Sequence, residues 1–258
     1  MMSRLFGQRP PKIEPPRRAA PANTRLYAIG DIHGSLVPLR LLRDLVREHA
    51  EAHPIERKCL IYLGDYIDRG FDSRAVIDLM INEPLPGFEH VFLKGNHEDG
   101  MLRFLADGAN APFWVAYGGL ATMFSYGVTP PDPATDESEL LRARTELARN
   151  LPPEHLDFLR RLARYHVEGD YLFVHAGIRP GVPLEEQRDE DLMWIREEFL
   201  HSREEFGKCV VHGHSITREA DFQFNRIGID TGAFASGTLT CLVLEDTRQD
   251  VLASPFIV

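Results

Sequence analysis

The sequence predicts a mixed α/β fold in which two β-sheets pack face to face, with helices outside them and a helical insertion. Two observations predict it. Three apolar runs of strand length, at 26–29, 59–63 and 88–93, alternate with helical patterns in the first part of the chain. A long helical stretch and then several further short strand candidates follow, which indicates a second sheet.

The first part of the chain predicts three parallel strands. Helical patterns fill both gaps between the apolar runs, with Leu39, Leu42 and Leu45 in the first gap and Val76 and Leu79 in the second. Such β-α-β connections place the carboxyl ends of parallel strands at one edge of the sheet, where ligands bind in α/β proteins. Functional side chains should therefore come directly after each strand.

The later part of the chain predicts a helical region and then a second sheet. The helical patterns run over about 99–162 and are interrupted by the Pro-rich stretch 129–133. We expect the strands that follow to form a largely antiparallel sheet. These strand candidates lie at 171–174, 208–211, 226–229, 237–244 and 251–258.

Length and composition limit the class of protein. The chain has 258 residues, of which 43% are hydrophobic, and a net charge of −10, which fits one catalytic domain. Affinity for nucleic acid comes from clustered Lys and Arg, so the acidic balance argues against a nucleic-acid partner. The three cysteines are scattered, with no paired spacing, which favours a reducing, cytoplasmic location.

The two ends of the chain differ in character. We interpret residues 1–24 as a disordered Pro- and Arg-rich tail, with a basic docking arm as the alternative. This stretch has no continuous apolar core, so neither a signal peptide nor a transmembrane span is expected, and no membrane partner. Residues 25–258 are predicted to form a single catalytic domain, and the sequence does not indicate its oligomeric state.

Ligand-type side chains follow the first two predicted strands. Asp31 and His33 come after the first strand, and Asp65, Asp68 and Arg69 come after the second. Taken alone, the first pair has a simpler interpretation as a helix-capping Asp and a polar His. The second set, taken alone, would fit a surface ion pair in a turn.

Three later strands end in the same manner, which argues against those simpler interpretations. Asn96 and His97 follow the third strand, and His175 and His214 each follow a strand of the second sheet. Carboxylate, imidazole and amide oxygen together suit Mn, Fe or Zn better than Ca. Fold stability alone does not require five strands to end in this way.

These motifs together resemble the metallophosphoesterase superfamily, and within it the phosphoprotein phosphatase family, in the branch of bacterial and phage-type serine/threonine protein phosphatases. The resemblance runs from about residue 26 to residue 244. Segment 93–98 is similar to the full serine/threonine phosphatase signature, ending in Glu98 where related diadenosine tetraphosphatases usually carry Asp. The resemblance implies a two-sheet sandwich flanked by helices and a metal-dependent hydrolase.

The resemblance also implies a dinuclear metal site. Two divalent ions are expected, with Mn favoured and Fe or Zn as alternatives. The implied ligands are Asp31 and His33 for the first metal, Asp65 as the bridge, and Asn96, His175 and His214 for the second.

Four further roles follow from the same resemblance. His97 is expected to donate a proton to the leaving group, and Asp68 to orient its imidazole. Arg69 and Arg196 are expected to bind the phosphate, together with Asn96. A hydroxide that bridges the two metals would attack phosphorus directly, without a covalent phosphoenzyme.

Three positions need separate interpretation. The wider superfamily often has a final His on the first metal where Ile216 stands here, so we expect that site to be looser. His212 is predicted to be a core or supporting residue, because strand alternation turns it away from His214. Segment 114–127 resembles a stretch that borders the active site in bacterial relatives, with simple packing as the alternative.

The function predicted from the sequence is phosphomonoester hydrolysis, on phosphoserine or phosphothreonine in a protein or peptide, with phosphotyrosine left open. The first alternative is a dinucleoside polyphosphate of the diadenosine tetraphosphate type, or another small phosphate, because the same metals would attack an anhydride. Aromatic stacking partners together with basic residues at the spacing of phosphates, in the cleft wall at 100–151, would favour a nucleotide. A third hypothesis is a phosphate-sensing scaffold without turnover, which the retained Asp68, His97 and arginines argue against.

Overall fold

Two five-stranded sheets form the centre of the computed structural model, which describes residues 17–108, 111–129, 131 and 137–256. The strands are β1 Thr24–Ile29, β2 Arg57–Tyr62, β3 Glu89–Phe92, β4 Tyr165–Glu168, β5 Tyr171–Val174, β6 Cys209–His212, β7 Asp221–Phe222, β8 Arg226–Gly228, β9 Thr240–Glu245 and β10 Arg248–Ala253.

Helices flank the two sheets. They are α1 Leu36–Ala52, α2 Ser73–Asn82, α3 Asn96–Asp107, α4 Ala111–Trp114, α5 Leu120–Ser125, α6 Glu137–Asn150, α7 Pro153–Arg161, α8 Asp189–Trp194, α9 Glu197–Leu200 and α10 Ala233–Ser236. A π-helical segment, Val115–Gly119, joins α4 to α5, and a 3₁₀ turn spans Leu184–Glu186. Helices α3 to α7 occupy the predicted helical insertion.

The first sheet has the order β10-β9-β1-β2-β3. Strands β1, β2 and β3 are parallel, which confirms the predicted β-α-β-α-β beginning. Strands β9 and β10 pair antiparallel on the other side of β1. The prediction that they belong to the second sheet was therefore wrong. The chain therefore returns to its first sheet at the end.

The second sheet has the order β4-β5-β6-β8-β7. Its three central strands are parallel, and only the edge strands β4 and β7 run antiparallel, so the expectation of a largely antiparallel sheet was wrong. Between β5 and β6 the chain forms α8 and α9, a connection long enough to return to the start of a parallel strand. Each sheet thus has a set of parallel strands, and the residues predicted to be functional follow the carboxyl ends of both sets.

Side-chain alternation in the strands builds the layers. Leu26 and Ala28 of β1 belong to a buried cluster that also contains Phe173 of β5, so this face of the first sheet packs on the second. Tyr27 belongs to a cluster with Leu39 of α1 on the opposite face. The layers run helix, sheet, sheet, helix, and the predicted fold class is confirmed.

The described part of the predicted N-terminal tail is packed against the body of the protein. The Ala19 amide donates to Asp170 Oδ2 at 3.0 Å, and the Ala20 amide donates to the Asp246 carbonyl at 2.8 Å. Ala20 is buried. The predicted tail therefore extended too far along the chain, and its first sixteen residues lie outside the described residues. Among the described residues, none of the helices has the length and apolar character needed to cross a membrane.

Candidate active site

The loops that follow the strands of both sheets contact one another directly. The His33 amide, after β1, donates to the Asp65 carbonyl, after β2, at 2.8 Å. The His214 amide, after β6, donates to the Asp31 carboxylate at 3.0 Å. Loops from the two sheets therefore meet at one shared edge, where the sequence predicted the chemistry to lie.

Two groups of possible metal ligands share one carboxylate. Asp65 forms one group with His33 and His97 and another with His175 and His214, and within each group the ligand atoms lie within 4.8 Å of one another. Asp65 Oδ2 is 3.5 Å from His33 Nε2 and 3.4 Å from His175 Nε2. Asp65 thus lies between the two groups, at the position implied for a bridging ligand.

The two remaining implied ligands have different surroundings. Asn96 Oδ1 lies 2.9 Å from both His175 Nε2 and His214 Nδ1, so the amide belongs with the second group. Asp31 lies outside both groups, with Oδ2 against the His214 backbone. The structure therefore brings five of the six implied ligands into two clusters and leaves Asp31 beside them.

Backbone carbonyls set the orientation of two ligand rings. His33 Nδ1 lies 2.9 Å from the Ile67 carbonyl, and His175 Nδ1 lies 2.9 Å from the Leu63 carbonyl. A carbonyl accepts a hydrogen bond, so each ring donates its Nδ1–H and turns the lone pair of Nε2 toward Asp65. This is the tautomer that a metal-binding imidazole requires.

Two buried polar atoms of the implied ligand set lack a hydrogen-bond partner among the described residues. They are Asp31 Oδ1 and His214 Nε2. Buried polar atoms are normally paired, so an unpaired carboxylate oxygen and imidazole nitrogen in one site indicate ligand positions. Together with the mixed carboxylate, imidazole and amide donors, they fit a pair of divalent cations.

Burial and charge set the protonation of the cluster. Burial lowers the pKa of His33 to about 3, and burial with the neighbouring His175 charge lowers the pKa of His214 to about 2. Burial would raise the pKa of Asp65, but His175 and His97 outweigh it and hold that pKa well below its usual range. His33 and His214 are therefore neutral and Asp65 is ionised, the forms that bind cations. Burial opposes a charge on His175, but the carboxylates of Asp65 and Asp31 outweigh it and raise the pKa of His175 to about 10.

His97 and Asp68 form a buried pair at the edge of the first group. His97 Nδ1 is 2.7 Å from Asp68 Oδ2, and His97 Nε2 is 3.3 Å from Arg69 Nη2. Burial opposes the charged imidazole, but the carboxylates of Asp65 and Asp68 outweigh it and raise the pKa of His97. A raised pKa keeps a proton on the ring, which suits the proton-donor role implied by the sequence.

The helical segment 111–125 holds this pair from the side opposite the metal ligands. Trp114 Nε1 donates to Asp68 Oδ2 at 2.8 Å, and Thr122 Oγ1 donates to Asp68 Oδ1 at 2.5 Å. The Gly118 carbonyl accepts the Arg69 amide at 3.2 Å. Trp114 is also buried in the core. The segment therefore both packs in the core and borders the site, the two interpretations that the sequence left open.

Glu98 is a structural support of the site. Its carboxylate accepts the amides of Asp65 at 2.9 Å, Tyr66 at 2.8 Å and Gly95 at 2.9 Å. Burial and the nearby Asp65 charge raise its pKa to about 7. The side chain fixes the loop that carries the shared ligand, so its identity reflects loop construction and gives no direct information about substrate.

Backbone strain concentrates at the site. Non-glycine residues seldom adopt positive φ, and such conformations cluster at functional sites. Seven non-glycine residues of the described chain have positive φ, and five of them belong to the predicted site. These five are His33, Asp65, Asp68, Arg69 and His214.

The three remaining positions that the sequence singled out have different surroundings. Arg196 is exposed, with Nη1 3.4 Å from Ser215 Oγ, directly after the ligand His214. Ile216 is 53% exposed and offers no metal ligand. His212, by contrast, is buried, lies outside both ligand groups and packs edge-on against Phe199.

One buried carboxylate of the site was missed by the sequence analysis. Asp230 follows β8 and is buried, with Oδ1 accepting the Gly232 amide at 2.9 Å. Burial and the charge of Asp230 raise the pKa of Asp31. The strand-end position that identified the other ligands would also have found Asp230.

An aromatic group borders the second ligand group. We call Phe113, Tyr117 and Trp194 the aromatic wall, because the Phe113 ring centroid is 4.3 Å from that of Tyr117 and 5.2 Å from that of Trp194. The Trp194 ring meets His214 edge-on at 5.9 Å. On the side of the first group, the Arg69 guanidinium lies over the Phe234 ring at 4.7 Å.

This fold and this ligand set define a metal-dependent phosphoesterase. The chain matches the calcineurin-like phosphoesterase family over residues 24–231, and it belongs to that family.

Curated relatives agree with this assignment. A protein of Anoxybacillus flavithermus named bis(5'-nucleosyl)-tetraphosphatase PrpE [asymmetrical] is 30% identical over 233 residues, covering 83% of this chain and 88% of that protein. A Bacillus thuringiensis protein of the same name is 28% identical with the same coverage.

Two solved structures show the same fold. A putative diadenosine tetraphosphatase is similar with a TM-score of 0.58 and 20% identity, over 92% of this chain and 99% of that one. A cold-active protein-tyrosine phosphatase of a Shewanella species is similar with a TM-score of 0.57 and 16% identity, over 93% and 84% of the two chains.

Proposed function

We propose that the chain hydrolyses a phosphoanhydride bond of a dinucleoside polyphosphate, the alternative raised by the sequence. The observation that carries this proposal is the aromatic wall within ring contact of His214. Exposed aromatic rings stack on bases, and a phosphopeptide does not require them. The tetraphosphatase names of the two curated relatives support the same substrate class.

The residues of the site have separable roles in this reaction. Water forms a bond to phosphorus, the phosphorus–oxygen bond of the anhydride breaks, and the departing phosphate carries away the electron pair. Arg69 and Arg196 would neutralise charge on the phosphate oxygens. His97 would hold a proton for the departing oxygen, with Asp68 fixing its Nδ1.

The metal ligands described above would hold two divalent cations. When bound, such cations lower the pKa of water and withdraw charge from phosphate oxygens. We propose Mn as the physiological metal, as the family resemblance implies; the imidazole, carboxylate and amide donors suit Mn, Fe or Zn. The three cysteines described as free and buried, Cys59, Cys209 and Cys241, support a cytoplasmic location.

Hydrolysis of phosphoserine or phosphothreonine in proteins is the second candidate. The buried pair of His97 and Asp68 favours it, because an alkoxide needs a proton more than a departing polyphosphate does. The exposed position of Arg196 would also leave room for a peptide.

Parallel assays separate the two candidates. Metal-stripped protein reloaded with Mn is given diadenosine tetraphosphate or a phosphothreonine peptide, and kcat/KM is measured for each. The proposal expects the dinucleotide to be cleaved with the higher kcat/KM. A higher value for the peptide would replace it with the second candidate.

A further inference from the structure

We infer that the aromatic wall is a nucleobase subsite, which binds the base of a nucleotide whose phosphate reaches the metal ligands. This inference builds on the proposed function and assigns its base recognition to Phe113, Tyr117 and Trp194. The ligand of this subsite is one nucleobase of the substrate.

The exposure of the wall is the first argument. Phe113 and Tyr117 are 38% and 44% exposed, whereas their neighbour Trp114 is 1% exposed. Phe113 and Tyr117 are four positions apart and contact each other with their rings tilted by 39°, while Trp114 turns inward to Asp68. The segment therefore buries one aromatic residue for the catalytic pair and presents two others to solvent.

The position of the wall is the second argument. Trp194 joins the wall to the metal site, because its ring contacts both Phe113 and the ligand His214. Arg196 follows two residues later and lies beside Ser215. A nucleotide phosphate bound between Arg196 and the metal ligands would therefore have its own base next to the wall.

The cavity beside the wall is the third argument. It has a volume of about 480 Å³, which lies in the range of small-molecule sites. Phe113 and Trp194 line it together with Asp99, Arg103 and Glu190. The Arg103 guanidinium is paired with the Asp99 carboxylate at 2.6 Å. The carboxylates of Asp99 and Glu190 disfavour a further phosphate group in this cavity. A flat, uncharged base fits this lining, and its amino groups would find carboxylate acceptors.

The π-helical segment explains how the wall is held. Gly118 has φ of 112°, and a Cβ there would lie 2.9 Å from the Arg69 backbone nitrogen. The segment therefore approaches the Arg69 loop closely, next to Tyr117. This contact connects the Arg69 loop to the aromatic wall. Such a connection is expected if one substrate places its phosphate at Arg69 and its base at the wall.

A matched ligand pair tests the subsite. AMP and ribose 5-phosphate share the phosphate and the sugar, and only AMP has a base. Their dissociation constants are measured by calorimetry on the Mn-loaded full chain. AMP should bind at least about tenfold more tightly, because stacking on aromatic side chains is strong. Equal affinities would overturn the inference.

Variants of the aromatic wall test whether it causes the difference in affinity between AMP and ribose 5-phosphate. Phe113→Ala and Tyr117→Ala should each weaken AMP about fivefold or more and leave ribose 5-phosphate within about twofold. If Tyr117→Ala does not fold, Tyr117→Leu takes its place. This variant keeps an apolar side chain, removes the ring and should have the same effect. The control is Phe222→Ala on β7, which is as exposed as Tyr117 at 44% and should change neither ligand. Equal weakening of both ligands by the wall variants would overturn the inference.

The same experiment distinguishes a failure of the subsite from a failure of the proposed function. A chain that cleaves no diadenosine tetraphosphate but prefers AMP, with the preference lost in the wall variants, keeps the subsite and loses the proposed function. Cleavage of the dinucleotide without any AMP preference keeps the function and overturns the subsite. Wall variants that weaken a phosphothreonine peptide but not AMP would assign the wall to a peptide and overturn it as well.

Discussion

The sheet edge and the helical segment 111–125 meet at the same cleft but contribute to it in different ways. At the sheet edge, each metal ligand lies close to a strand end, and backbone groups of adjacent loops hold it, as the Leu63 carbonyl holds His175. The helical segment acts through side chains distant in sequence, as when Trp114 reaches Asp68. The strand ends of the two sheets thus hold the candidate metal ligands, and the insertion holds the pair of Asp68 and His97, the proposed proton donor, and carries two residues of the aromatic wall.

The largest expected effect lies at the sheet edge. Asp65→Asn keeps the size of the shared ligand and removes its charge, so both ligand groups lose their common carboxylate. We expect kcat to fall at least about a thousandfold, with loss of bound metal. Metal content and turnover check this, with the exposed Asp44→Asn as the control. Turnover within tenfold of the original protein would show that Asp65 is not shared.

The support of the sheet edge should have the next largest effect. Glu98→Asp shortens the side chain, which then no longer reaches the amides of Asp65 and Tyr66. Metal affinity should fall about 10- to 100-fold, as for other groups that orient metal ligands. Glu98→Gln keeps the length but replaces one of the two accepting oxygens by an NH2 group, so it should lose only part of this support and cost less. The opposite order in a metal titration would mean that accepting on both oxygens, and not reach, is what Glu98 contributes.

The helical segment should affect turnover without affecting metal. Trp114→Phe removes one hydrogen bond to Asp68, and Thr122→Val removes two, because the Thr122 hydroxyl donates to Asp68 Oδ1 and accepts the Asp68 amide. For each variant we expect about a tenfold fall in kcat with unchanged metal content. Phe104→Leu is the control, because Phe104 packs on the Trp114 ring without touching Asp68. If the two test variants also lost bound metal, the helical segment 111–125 would contribute to metal binding, as the sheet edge does.

The smallest expected effect concerns the helix that carries Trp194. Asp191 accepts hydrogen bonds from Arg179 at 2.6 Å and Arg188 at 2.9 Å, which lower its pKa to about 2. A depressed pKa stabilises the fold above the ordinary pKa of Asp, and the contribution is lost as pH falls through about 2. Asp191→Asn should therefore lower the unfolding temperature at pH 7 by less than about 3 °C. Thermal unfolding at pH 7 checks this, and a larger fall would give α8 a greater part in stability.

The sequence predicted the sheet edge well because its signal is local. Apolar runs predict the first three strands, and the parallel pairing of these strands is confirmed. The residues that follow the strands were singled out by their position and residue type. The order of the second sheet was not predictable in this way. Its central strands are short, and their partners are chosen by packing across connections such as α8 and α9, which no local pattern records.

Contacts over long sequence separations account for the other omissions. Thr122 and Asp68 are 54 positions apart, and no spacing rule links a threonine on a helix to a carboxylate in a loop. The inference from Glu98 to a protein phosphatase depended on residue type, whereas the structure gives the side chain a task in holding backbone amides. Residue type at a strand end therefore indicates chemistry more directly than it indicates substrate.

The number and coupling of the bound metals test the central claim most directly. Metal-stripped protein is titrated with Mn, and bound metal is counted while electron paramagnetic resonance follows the signal. A shared Asp65 carboxylate predicts two ions per chain that are magnetically coupled. Two uncoupled ions, or a single ion at saturation, would contradict the shared dinuclear site.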